Sequence, residues 1–294
     1  MHEQDWLAQR FETHRGHLRA VAYRMLGSLS EADDAVQESW IRLSRTDTSD
    51  VENLRAWLTT VVGRVCLNML RSRRTRRETS LEAHVPDPIV TREDEIDPEQ
   101  QALLGDSMGI ALMVVLDSLS PPERVAFVLH DVFAVPFDEI GPILGKSPAA
   151  ARQLASRARR RVQGAPVPDT DLKGQRRVVN AFIKAAREGD FEGLLAVLDP
   201  DVVLRSDGGR ARPGLVTVFR GAQAVAARAM MFARVSENST PALVNGAVGA
   251  VAWTRKGEPL AVMSCTVSNG KIVTMEALAD PERLRKLDLA IFND

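Results

Sequence analysis

Arg152, Gln153, Ser156, Arg157 and Arg160, with Ala149 ahead of them, form the side-chain set in this chain best suited to chemistry. They recur at helical spacing, and the other side of the same segment carries Ala151, Leu154, Ala155, Ala158 and Val162. A guanidinium can bond both acceptors of guanine, and an amide can bond both groups of adenine. One side of such a helix can therefore read a major groove while the other packs on its domain. A merely solvated surface helix is the plainer reading, but the flanking residues favour the first. Ile140, Ile143 and Leu144 point one way on a preceding helix, Gly145 suits a left-handed stop, and Ser147 with Pro148 suits a new start. The segment 136–162 reads as a helix–turn–helix.

A second cationic set lies earlier. Arg64, Asn68 and Arg71 share a face of a long helix, and Arg71, Arg73, Arg74, Arg76 and Arg77 follow with no acid among them. Arginines so crowded repel one another unless a polyanion neutralises them, and phosphates are the usual partner. A solvated basic tail is the alternative. Residues 78–101 then reverse the charge: eight acids stand against Arg92, and Pro86, Pro88 and Pro98 break helices. This stretch reads as an acidic linker between two DNA-binding candidates.

Acid–base chemistry is poorly provided for. The one Tyr (Tyr23) and every His (His2, His14, His17, His84, His130) precede the last third. The acids of that third nearest a pocket mouth are Asp199, Asp201 and Asp207, and Asp207 beside two glycines suits a turn. No catalysis, cofactor or metal is expected. His14 and His17 share a helical face, but two histidines make weak metal ligands without a third. Cys66 and Cys265, far apart, fit a reducing cytoplasm, and no apolar run approaches the ~18 residues of a membrane span.

The 294 residues bear a net charge of −1 and are 45% hydrophobic, enough for two or three domains with buried cores. Residues 5–77 predict helices: one ending at Gly27, a second starting at Ser30, a third segment beginning near Asp50 on a Ser49/Glu52 capping box, and a long helix over 56–74. Periodicity returns over 103–119, and a helix is predicted over 123–132. The last third differs in kind. Helices are expected over 172–187 and 190–198, a short strand over 202–204, an Ala-rich helix between Gly221 and Val235, and a final helix over 281–291. Asn245-Gly246, Lys256-Gly257 and Asn269-Gly270 punctuate apolar runs as hairpin turns do. The fold class expected is multi-domain: two all-α modules, then an α+β domain with a curved sheet around helices.

Taken in order, these features resemble a known family. DDAVQESWIRL at 33–43 and NLRAWLTTVVGRVCLNMLRSRR at 53–74 are similar to region 2 of bacterial extracytoplasmic-function sigma factors, and 103–163 is similar to region 4. The remainder resembles a SnoaL-like, cone-shaped domain, as in a subgroup with a fused C-terminal extension. The boundaries this implies are 1–77, 78–102, 103–165 and 172–294. The resemblance implies core RNA polymerase and promoter DNA as partners and no membrane. Asp33, Asp34, Gln37, Glu38 and Trp40 match the helix that docks on the β′ clamp helices, and region 4 would meet the β flap. Asn53 falls where a flipped −10 base is captured. Arg64, Asn68, Arg71, Arg73, Arg74 and Arg76 match the −10 helix. Lys146, Ser147, Ala149, Arg152, Gln153, Ser156, Arg157 and Arg160 match the −35 reader.

In the fused subgroup a Trp-Leu-Pro-type linker motif communicates with an Asp-Gly-Gly-Gly-type turn. The corresponding residues here are His84-Val85-Pro86-Asp87-Pro88 and Asp207-Gly208-Gly209-Arg210, so the linker lacks the aromatic anchor. A third motif appears as Ala279-Asp280-Pro281-Glu282-Arg283-Leu284. Arg210 and Arg212 are expected to meet linker acids such as Asp87. The last domain also has the architecture for a small-molecule ligand. A second reading makes the chain a one-component regulator, with an operator-binding helix–turn–helix and a ligand-sensing C-terminal domain. That reading leaves 5–77 without a role, and co-elution with core polymerase separates the two.

Overall fold

A computed structural model of the chain describes residues 3–46, 51, 53–76, 84–92, 109–164, 168–236, 238–289 and 292. They fall into two compact units. One holds residues 1–79, 98–106 and 115–164; the other holds 80–97, 107–114 and 165–294.

The first unit is helical. Helices α1 (Glu3–Leu26), α2 (Leu29–Leu43) and α3 (Leu54–Arg76) pack together around Phe11, Leu18, Met25, Leu43 and Leu58, all fully buried. The second helix starts one residue before the expected Ser30. Gly27 turns the chain at φ +70°, and Ser28 in extended conformation is the cap. The third starts at Leu54, where Asn53 Oδ1 accepts the Ala56 N–H at 3.1 Å. Of the Ser49/Glu52 box, both residues lie outside the described residues. Helix α4 (Ile110–Asp117), whose residues 110–114 belong to the second unit and 115–117 to the first, is followed by α5 (Pro121–Phe127), which passes into a π-helical turn over Val128–Val132. The helix–turn–helix consists of α6 (Phe137–Leu144) and α7 (Pro148–Val162).

Region 2-like and region 4-like helices form one body within this unit. Helix α3 packs on α5 and α6. Gly63 faces this contact: a Cβ there would stand in ordinary van der Waals contact with Leu129 Cδ1 at 3.4 Å and Ile143 Cδ1 at 3.5 Å. Phe133 receives the His17 ring edge-on at 5.5 Å and lies under the Arg24 guanidinium at 5.1 Å. Burial, with the nearby Arg55 charge, lowers the His17 pKa to about 4, so this imidazole is neutral at pH 7.

The second unit is α+β. Helices α8 (Leu172–Glu188) and α9 (Phe191–Val197) precede strand β2 (Leu198–Asp207), which runs longer than the expected 202–204 because it pairs on both sides. Then come β3 (Thr217–Arg220), α10 (Ala222–Ala233), β4 (Asn238–Val244), β5 (Ala247–Trp253), β6 (Pro259–Ser268) and β7 (Lys271–Leu278). All three expected hairpin turns are formed. The closing helix α11 is a single turn, Pro281–Leu284, capped by Asp280; Leu289 folds back into the core where a longer helix was expected. The linker contributes β1 (Val90–Thr91), which pairs with β4, giving the order β1-β4-β5-β6-β7-β2-β3. Among the described residues only β2 and β7 pair in parallel.

Alternate residues feed a core on each face of the sheet. Val179, Phe182, Leu194, Val248, Cys265 and Met275 cluster beneath the long helices. On the other face Val85, Val90 and Ile110 join Val251, Trp253, Leu278 and Leu284.

Candidate nucleic-acid interface and linker clamp

Helix α7 separates its two sides as the spacing predicts. Ala151, Ala155 and Ala158 are fully buried against α5 and α6, whereas Ala149, Arg152, Gln153, Ser156, Arg157 and Arg160 are exposed. Lys146 and Ser147 are exposed at the turn, and Ser147 Oγ accepts the Ala150 N–H at 3.3 Å. Gly145 supplies the left-handed residue at φ +64°, and the Lys146 N–H closes on the Gly141 carbonyl at 2.9 Å. Arg152 lies over the Phe137 ring at 5.3 Å, which restrains a long side chain without removing its charge. Arg159, absent from the expected set, is held by Asp131 at 2.5 Å, and Arg161 reaches Glu123 at 3.4 Å.

On α3, Arg64, Asn68 and Arg71 are exposed along one face. Arg73 departs from this set. It donates to the Leu26 carbonyl at 2.9 Å and pairs with Glu31, tying α3 to the α1–α2 turn. The side chains of Arg74 and Arg76 lie outside the described residues. On α2, Asp33, Asp34 and Gln37 are exposed; Asp33 meets Arg19 at 2.7 Å, and Glu38 meets Arg42 at 2.9 Å. Trp40 is half-buried, its ring 5.2 Å from Phe11. An acidic strip beside an anchored indole is left facing outward.

The linker is held on the second unit by one arginine. Arg283 donates to Asp87 Oδ1 at 2.6 Å, to Asp207 Oδ2 at 2.8 Å and to the Val85 carbonyl at 2.6 Å. Asp207 also accepts the Val85 N–H at 3.1 Å and contacts His84 Nδ1 at 3.2 Å. Further along, Asn245 Oδ1 accepts the Ile89 N–H at 2.8 Å and the Asn245 N–H donates to the Ile89 carbonyl at 2.9 Å. Pro86, Asp87 and Pro88 are all buried. Burial alone would raise the Asp207 pKa; the His84 hydrogen bond, the Arg283 charge and the Val85 N–H outweigh it and hold the carboxyl at about 2. The 207–210 turn needs its glycines: a Cβ on Gly208 would meet the Arg212 carbonyl at 2.3 Å, and Gly209 sits at φ +61° against Asp280.

Residues 10–76 match the sigma-70 region 2 family and residues 110–162 match sigma-70 region 4. Over 290 residues the chain is 39% identical to the extracytoplasmic-function (ECF) RNA polymerase sigma factor SigJ of Mycobacterium tuberculosis, covering 93% of this chain and 91% of that one. The chain belongs to the extracytoplasmic-function sigma factors. Probable sigma factor SigI of the same organism is 38% identical over 222 residues, 74% of each chain. The crystal structure of M. tuberculosis SigJ superposes with a TM-score of 0.75 at 34% identity, over 96% of this chain and 99% of that one. This ECF sigma factor is an alternative sigma factor of transcription initiation, with two all-α sigma regions and a C-terminal curved-sheet domain. Nothing in these similarities favours the one-component operator binder.

Within this sigma factor the sequence reading chose the wrong arginines for the linker. Arg210 is exposed, and Arg212 donates to the carbonyls of Leu260 and Ala279 at 3.3 and 3.2 Å, inside the sheet domain. Arg210 follows a turn that points it outward, while α11 carries Arg283 back across the end of β2. The third motif contained Arg283, so the signal was present; only the register of a short helix hid its direction. The pairing of Val90 and Thr91 with β4 was missed as well, because two residues between prolines make no strand pattern.

Proposed function

We propose that this sigma factor reads −35 DNA through the exposed side of α7 and −10 DNA through the exposed side of α3, while α2 grips the polymerase. The observation that supports this best is α7 itself: every expected reader is exposed, while on the opposite stripe Ala151, Ala155 and Ala158 are buried and Leu154 and Val162 partly so. Arg152, Gln153, Arg157 and Arg160 supply base-edge and phosphate donors from a helix fixed by α5 and α6. Arg64, Asn68 and Arg71 meet the −10 element, joined by Arg74 and Arg76, and Asn53 meets its extruded base. Arg73 acts as a positioning residue that holds α3 at its angle. Asp33, Asp34, Gln37, Glu38 and Trp40 dock on the β′ clamp helices, and region 4 rests on the β flap. The C-terminal domain modulates initiation by holding the linker, and it does so without catalysis: no carboxylate, imidazole or phenol is among the described residues lining its cavity. Asp199 lies outside that cavity, accepting the Asp201 N–H at 2.9 Å.

Run-off transcription with core polymerase tests the assignment. Arg157→Ala or Gln153→Ala is expected to cost about 1–3 kcal/mol in binding and to relax preference at one −35 position. Arg71→Ala is expected to weaken binding on every promoter and to lower the salt slope by about one. Equal losses on all promoters for all three variants would overturn the division into base readers and phosphate contacts.

A further inference from the structure

The C-terminal domain holds a cavity of about 100 Å³, open to the surface on one side, between the inner face of the sheet and helices α8 and α10. Its origin is in the strands. Ala250, Ala252, Ala261, Ala277 and Ala279 all line it. Ala252 pairs with Ala261 across β5 and β6, so two small side chains face each other where core strands ordinarily place branched ones. Elsewhere on the same face Val248 and Val267 place branched side chains that are fully buried. Five alanines leave this part of the sheet face without the packing that branched side chains would supply, and so leave room for a small apolar body. Its size is of the order of the ~150 Å³ apolar cavity that accepts benzene.

The lining is apolar apart from three serines and two arginines, Arg187 and Arg228. Both arginines have neutral partners. Arg187 donates to Asn238 Oδ1 at 2.8 Å and to the Ser239 carbonyl at 3.4 Å, and Arg228 lies over the Phe219 ring at 5.7 Å. Among the described residues neither pairs with a carboxylate, and none of the lining residues is acidic. Arg187 is exposed and Arg228 partly so, which places two guanidinium groups at the rim of the apolar cavity, where they favour a negative charge attached to a compact apolar body.

We infer that this cavity binds a small monocarboxylic acid, its ring or short alkyl body against the alanine wall and its carboxylate at Arg228 and Arg187. The ligand is bound and not transformed. This site is separate from the DNA-reading faces and does not rest on their assignment.

Calorimetric titration of the full chain with phenylacetate, and with 2-phenylethanol as the uncharged match, tests the inference. Phenylacetate is expected to bind saturably and about tenfold tighter than the alcohol. Arg228→Gln is expected to remove most of that preference while leaving alcohol binding unchanged. Ala277→Phe, which fills the void from β7, is expected to abolish binding of both probes without lowering the melting temperature. Absence of saturable phenylacetate binding, equal affinity for acid and alcohol, or undiminished binding to a folded Ala277→Phe protein would each overturn it. Should Ala277→Phe not fold, the Arg228→Gln comparison decides alone.

Discussion

Replacing Arg283 by alanine is expected to destabilise the C-terminal domain by about 3–5 kcal/mol, because it removes the cation that two buried carboxylates share. Asp87 is 8% exposed and Asp207 6%, and both face the Arg283 guanidinium. Urea denaturation measures the loss, and protease cleavage within residues 84–92 reports release of the linker. Lysine at 283 keeps the charge but cannot reach Asp87, Asp207 and the Val85 carbonyl together, so it is expected to fall between the two. The pH dependence follows from Asp207. Its folded pKa, about 2, lies below its ordinary 3.8, so its stabilisation is complete above pH 3.8 and is lost as pH falls toward 2. Without Arg283 the folded value rises, and the acid limb of the stability curve moves to higher pH. Promoter-directed transcription by Arg283→Ala should differ from wild type; unchanged stability and unchanged transcription together would remove the clamp from the account.

Gly141→Val is expected to abolish −35-dependent binding while leaving region 2 folded. Gly141 lies inside α6 where α7 begins its approach. A Cβ there would stand 2.8 Å from the Lys146 carbonyl oxygen, 3.2 Å from the Pro148 nitrogen and 3.3 Å from the Ser147 carbonyl carbon. All three are backbone atoms, which cannot swing aside as a side chain would. Alanine should cost about 1–3 kcal/mol by overpacking, and valine more. The cost is met by splaying α7 from α6, which moves every base reader together. Fluorescence anisotropy with a −35 duplex reads the effect. Wild-type affinity for Gly141→Val would show that the interhelix angle is not what positions the readers.

Much of this was legible in the residue pattern. The helix–turn–helix announced itself because cap, stop and sidedness coincide within 27 residues, and local rules govern all three. Asn-Gly turns did the same for the sheet. What resisted reading was long-range. Arg73 belongs to a run of arginines, and nothing local separates it from Arg71; only the α1–α2 turn, with the Leu26 carbonyl and Glu31, singles it out. Arg283 lies 196 residues from Asp87. Asp87 was expected to meet an arginine of the last domain and Asp207 only to form a turn; sequence spacing carries no information about which of several arginines the fold will bring to them. The alanine wall is legible only once β5, β6 and β7 are known to stand side by side.

The placement of β1 changes what the C-terminal domain is. It is not a tail appended after region 4, because the connector between the two sigma regions is woven into its sheet as the outermost strand. Val85, Ile89 and Val90 are at most 5% exposed there. Peeling the connector away would bare those side chains together with the unpaired backbone of β4, a surface prone to self-association. A stop codon after residue 164 would remove β4 with the rest of the sheet and leave Val85, Ile89 and Val90 without the surface that covers them. Unfastening in the cell would need a receiving surface ready to take the strand as it leaves.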